Sequence, residues 1–215
     1  MRRSITFSSR GGGDGYPQVT TMDEKEYAQV IAEALQSLGR TIEDLKRCLF
    51  SRNKRLMNQT KRNLAASVRA SVPLLEETAE KSEKNALDRW FLELLPSLQR
   101  LGIGVEDLLG GVQIAVETEV SLTDKSLSEI SETMALLKDL ARDTNDVLAT
   151  KNSHFRTYAV SSVEHLLQRV CECGLEHQQR LATGVCSPKA SFLYLDIMES
   201  VKRIAQELGN LCEKA

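Results

Sequence analysis

The sequence predicts an all-α protein, and three observations carry the prediction. Apolar residues recur at three- and four-residue steps from Asp23 almost to the last residue, the period of helices that bury one stripe. Leu, Ala, Glu, Lys and Gln are abundant, while prolines number four in 215 residues, so long helices are the economical reading. The chain also matches itself when shifted by about a hundred residues, the mark of a duplicated unit.

The elements follow in order. Residues 1–20, with Gly11-Gly12-Gly13 and Gly15-Tyr16-Pro17, carry no apolar period, so ordering them would go uncompensated and a flexible tail is expected. From Asp23, Tyr27, Val30, Ile31, Ala34, Leu35, Leu38, Ile42, Leu45 and Leu49 form one stripe, with Thr21 or Asp23 as cap. A second helix from Leu56 to about Glu80 carries Leu64, Val68, Leu74 and Leu75, and Pro73 predicts a bend or a break in it. A third run from near Asn85 holds Leu87, Trp90, Phe91, Leu94, Leu98, Leu101 and Val105, with interruptions expected at Pro96 and Gly110-Gly111. Thr123 caps a fourth helix through Leu127, Ile130, Met134, Leu137, Leu140, Ala141, Val147 and Leu148. A fifth starts after Asn152 or Ser153 and ends at Gly184. Ser187-Pro188 opens the last, with proline where its missing N–H costs nothing.

The shift that reveals the duplication places Ala32-Glu33-Ala34-Leu35 on Ser131-Glu132-Thr133-Met134, Leu38 on Leu137, Asp44 on Asp143, Leu49 on Leu148 and Asn53 on Asn152 without a gap. A slightly larger shift places Leu98-Gln99-Arg100-Leu101-Gly102 on Val201-Lys202-Arg203-Ile204-Ala205. Two units of a long helix and two further helices follow, joined near residues 118–123.

Two passages carry a family resemblance. Glu176-His177-Gln178-Gln179-Arg180-Leu181 through Gly184, followed by Tyr194 to Ala205 and on to Asn210, resembles the end of PhoU-family domains. There a histidine-containing helix and an Arg-Leu…Gly turn lead into a last helix with Glu-Arg-Ile-x-Asp and a later Asn. The passage Thr123 to Leu148 is similar to the long first helix of a PhoU repeat. The resemblance covers residues 120–215 directly and 23–117 through the internal repeat, and extends to the cytoplasmic PhoU-like domain of sodium–phosphate cotransporters. It implies two tandem antiparallel three-helix units forming a six-helix bundle, the first over 21–120 and the second over 121–215. It further implies a non-enzymatic regulator of phosphate transport or phosphate signalling, without a cofactor, that docks on a phosphate transporter or its sensor kinase. A metal-binding bundle, or a structural bundle with no phosphate role, is the alternative; peripheral membrane proximity and a homodimer stay open.

The family pairs Glu and Asp one turn apart, so that both carboxylates face one cation. The positions matching them here are Lys202 and Gln206 in the second unit and Gln99 and Ile103 in the first. An ammonium, two amides and an aliphatic chain predict that no multinuclear metal cluster binds, and the former metal face becomes a polar contact surface with Arg100 and Arg203 as its basic groups. Glu199 and Glu207 are the neighbouring acids that could compensate, but Glu207 stands about 100° round the helix from Gln206.

Other chemistry is weakly represented. Cys171 and Cys173 flanked by His165 and His177 suggest zinc by type, but residues two apart on a helix diverge by about 200°, so buried thiols and exposed histidines are expected instead. No glycine-rich loop follows a strand and no Ser/His/Asp arrangement can be placed, so no enzymatic activity is predicted. The formal charge of -2 gives no global reason to expect nucleic acid. One local patch stands out: Lys46, Arg47, Arg52, Lys54, Arg55, Lys61, Arg62 and Arg69 span the first hairpin with no acid between Asp44 and Glu76. Such a run is a solvated face or an electrostatic contact with an acidic partner or an anionic leaflet; scarce aromatics argue against nucleic acid. Five cysteines, an odd number, predict reduced thiols, and neither a spanning segment nor a signal region is recognisable, so a cytoplasmic protein is expected.

Overall fold

In the computed structural model the described residues form six helices: α1 Glu24–Ser51, α2 Lys54–Glu80, α3 Ala86–Glu117, α4 Asp124–Thr150, α5 Ser153–Ala182 and α6 Pro188–Lys214. It describes residues 24–80, 86–118 and 120–215, with side chains outside 24–27, 68–80 and 86–88, and no strand occurs among the described residues. The tail expected over 1–20, the candidate caps Thr21 and Asp23, and the side chains of Tyr27, Val68, Arg69, Leu74, Leu75 and Leu87 lie outside that description. No helix among the described residues is long and apolar enough to cross a membrane.

Local chemistry sets the boundaries. Thr123 accepts a hydrogen bond from the Ser126 amide and caps α4. Ser187 accepts one from Ala190 N–H ahead of Pro188 at the start of α6. At the end of α5, Gly184 takes a φ of 73°, its N–H donates to the Leu181 carbonyl and the Val185 N–H donates to Arg180, the two bonds of a Schellman closure.

The duplication is visible in the two hairpin turns. Arg52 and Lys151, which coincide in the repeat, are the non-glycine residues with positive φ among the described residues, at 48° and 52°. Each is followed by a capping Asn: Asn53 accepts from the Leu56 N–H at 3.0 Å and Asn152 from the His154 N–H at 2.8 Å.

The interruptions expected in α3 are corrected, and of the bend or break expected at Pro73 the break does not occur. The helix α3 runs without interruption through Pro96 and Gly110-Gly111, and Pro73 lies inside the span of α2. For α3 the reason is tertiary: a Cβ at Gly111 would stand 2.9 Å from Cγ1 of Ile197, and one at Gly104 would stand 2.9 Å from Cγ1 of Ile204. These glycines let α3 lie close against α6, and that packing outweighs a propensity deficit of about 1 kcal/mol per glycine.

The helices α1, α3, α4 and α6 make the centre, while α2 packs on α1 and α3, and α5 on α4 and α6. As residue numbers climb along α3 from Gly104 to Gly111, their partners on α6 descend from Ile204 to Ile197, so the two run antiparallel. Likewise Arg52 at the end of α1 reaches the Val120 carbonyl before α4, while Glu43 meets Lys138 well inside α4. Each central helix thus pairs antiparallel with its own repeat counterpart, as a pseudo-twofold between the halves requires. Among the described residues the main apolar cluster, from Ile31, Leu35 and Ile42 through Phe91 and Leu108 to Met134, Ile197 and Leu208, runs across both halves, beside a small separate one of Val147, Ala159 and Cys212.

Candidate functional site

The basic residues of the first hairpin gather at the α1–α2 turn. Arg47, Arg52, Lys54, Arg55, Lys61 and Arg62 are all exposed, and Phe50 beside them is exposed as well. Three have partners: Arg47 lies 3.7 Å from Asp44, Arg52 donates to the Val120 carbonyl at 3.2 Å and Lys61 donates to Gln113 at 3.2 Å. Among the described residues Lys54, Arg55 and Arg62 have no ion-pair partner. Lys54 and Arg55 also occupy the first turn of α2, where the helix dipole favours acids, so this end concentrates positive potential against local preference.

Arg100 and Arg203 belong instead to the seam between α3 and α6. Arg100 grips Glu207 with two bonds, at 2.6 and 3.0 Å, and Arg203 lies 3.0 Å from Asp107. Glu207, largely buried, receives a further bond from Asn210 at 3.0 Å. Burial alone would raise its pKa, but the bonds from Arg100 and Asn210 hold it below the ordinary carboxylate value. Along the same seam Gln99, Ile103 and Gln206 are exposed, and Lys202 bonds Glu199 at 3.2 Å. Among the described residues no three His, Cys, Asp or Glu side chains converge as a metal site would need.

The most tightly organised polar cluster escaped the sequence reading. Glu129 of α4 is 1% exposed and receives a bidentate grip from Arg180 of α5, at 3.0 and 2.6 Å, and the Tyr194 hydroxyl of α6 at 2.7 Å. Lys125 approaches Glu129 at 3.5 Å and Glu176 at 3.3 Å. His177 stacks on Tyr194 with centroids 4.0 Å apart and its Nδ1 lies 3.3 Å from the Arg180 guanidinium. Arginine only donates, so Nδ1 accepts and the ring proton sits on Nε2, which is buried without a partner. Burial would raise the Glu129 pKa, but the bonds from Arg180 and Tyr194 hold it lower. Burial first, and the Arg180 charge second, push His177 below its ordinary range.

This corrects the expectation for the α5 motif. His177 is buried, not exposed, and Cys171 is exposed while Cys173 is buried. The available signal was Glu129 itself, which shares the α4 stripe with Ser126, Ile130, Thr133 and Met134; a carboxylate on a core stripe demands a buried cation.

No family model matches the sequence, and no curated protein does either. Among solved structures, the crystal structure of the phosphate transport system regulatory protein PhoU from Streptococcus pneumoniae superposes with a TM-score of 0.66, covering 88% of this chain and 91% of that one at 15% identity. At that identity the likeness speaks for the architecture, and it spans both three-helix units: the chain has the all-α, PhoU-like fold.

Proposed function

We propose that this chain is a non-enzymatic regulator of phosphate transport or phosphate signalling, a cytoplasmic helical adaptor that docks on a phosphate transporter or its sensor kinase. The likeness of fold, over nearly the full length of both chains, to a phosphate transport system regulatory protein carries the reading. The basic α1–α2 end is the docking surface in this reading, because Lys54, Arg55 and Arg62 are exposed and placed to steer an acidic partner surface into register. Arg100 and Arg203 contribute less, since an incoming carboxylate would have to displace Glu207 and Asp107.

The test is affinity capture with the full chain from phosphate-starved and phosphate-replete cells, beside the Arg55→Glu, Arg62→Glu double variant. The parent is expected to retain a phosphate transporter subunit or a histidine kinase, and the variant to lose it at unchanged helix content, because exposed charges add little to stability. Capture of neither class by the parent in either condition would remove the proposal.

A further inference from the structure

The first unit contains a cavity of about 370 Å³ between α1, α2 and α3, lined by Val30, Ala34, Leu38 and Leu64 with Leu98 and Gly102. The repeat explains why it is there. Val30, Ala34 and Ser37 of α1 fall where the second unit has Glu129, Thr133 and Leu136, and Gly102 of α3 falls where it has Ala205. At these four positions the first-unit residue is the smaller of its pair, whereas Leu98 is larger than its counterpart Val201. The larger counterparts fill the second unit: Glu129, Thr133 and Ala205 are buried and Leu136 packs on the core. Farther along α3, Glu106 occupies the position of Gly209, and Gly209 is where α5 closes on α6, a Cβ there meeting Val163 at 3.4 Å. A charged side chain at that place holds the corresponding approach open, and Glu106 lines the cavity.

We propose that this cavity binds a single aliphatic chain bearing a cationic head. The volume falls at the small end of ligand pockets and is more than twice that of a ~150 Å³ cavity that holds a benzene ring, enough for a chain on the order of ten carbons. The hydroxyls of Ser37 and Ser67 bond each other at 2.9 Å instead of facing a ligand, and the other described lining of α1 and α2 is aliphatic, which suits a hydrocarbon. Exposed Gln99, Ile103 and Glu106 stand at the mouth. The Glu106 carboxylate complements an ammonium and repels a carboxylate or phosphate head. The inference is independent of the phosphate reading, since it uses neither the basic hairpin nor the likeness of fold.

Gly102 supplies the test, because a Cβ built there meets nothing within 4 Å. A leucine at this position would extend into the cavity and gain helix propensity, so Gly102→Leu should fold and melt higher than the parent. Decylammonium and decanoate would be titrated into each protein below their micelle concentrations and followed by calorimetry. The parent is expected to bind one decylammonium and to bind decanoate at least about tenfold more weakly, a difference of ~1.4 kcal/mol. Gly102→Leu should bind neither, and Glu106→Gln should bring the two affinities together. No binding by the parent, an unaltered affinity in Gly102→Leu, or decanoate binding as tightly as decylammonium would each overturn the proposal.

Discussion

At the scale of single residues, the chain departs from local preference in two kinds of place, and each yields a prediction. Glu129 is a carboxylate on a core stripe, stable only because Arg180 and Tyr194 complete its bonds. Glu129→Ala should therefore cost about 3–5 kcal/mol in denaturant unfolding, the loss expected when one member of a buried pair is removed. A cost near that of a surface substitution would show the cluster to be hydrated. The same cluster makes stability depend on pH. His177 is held below its ordinary value of 6.5 in the fold, so the unfolded chain binds a proton that the folded chain does not, and stability falls as pH drops below about 6.5. Glu129, held below its ordinary 4.5, adds a second loss further into acid. His177→Phe keeps the stack on Tyr194 and should remove the upper part of this loss; an unchanged slope between pH 7 and 5 would assign it elsewhere. The other departure is the left-handed conformation of Arg52 and Lys151. Glycine at either place should raise stability by up to about 1 kcal/mol in thermal unfolding, less whatever is lost with the Arg52 bond to Val120 or the Lys151 contact over Trp90. Neither departure was read from sequence. Glu129 does stand on the α4 core stripe, but the guanidinium and hydroxyl that satisfy it come from α5 and α6, which no local pattern brings to it, and positive φ at a basic residue has no sequence signal comparable to glycine.

At the scale of the element, periodicity and caps were legible because they are local: Thr123, Asn152 and Ser187-Pro188 act within one turn of where they stand. What misled was glycine, whose sequence meaning depends on what lies opposite. Gly110 and Gly111 are adjacent, yet a Cβ at Gly110 meets open space while one at Gly111 meets Ile197 at 2.9 Å. Opposite signs are therefore expected from the same substitution. Gly110→Ala should stabilise by up to about 1 kcal/mol through propensity, whereas Gly111→Ala and Gly104→Ala should destabilise by about 1–3 kcal/mol because α3 and α6 must move apart. Melting curves of the three variants decide it, and a uniform rise would mean that the seam yields without cost. Pro96 is tolerated because it sits on the exposed side of α3, where the carbonyl freed by its missing N–H can turn to water.

At the scale of the whole molecule, the repeat was legible because both halves kept their stripes and turn residues, while the way the halves meet was not, since no local pattern states which stripe faces which. The core that results is continuous across the α1–α4 and α3–α6 pairings. Each central helix therefore divides its apolar surface between its own unit and the other, and a separated unit would present two long stripes to water. Burial of apolar surface at about 25 cal/mol per Å² is the main favourable term in folding, so neither half is expected to hold its structure alone. The two differ in degree: the second half keeps the Glu129 cluster and the close α5–α6 contact at Gly209, whereas the first carries the cavity between α1, α2 and α3. Chains cut within 118–123 and expressed separately should show helical circular dichroism without a cooperative melting transition, the first half more expanded than the second. Mixed together they should recover one transition close to that of the uncut chain, because the seam is a shared core and not a hinge between finished domains. A sharp transition in an isolated half, unaltered by adding the other, would establish that unit as a domain in its own right and reduce the seam to a docking surface.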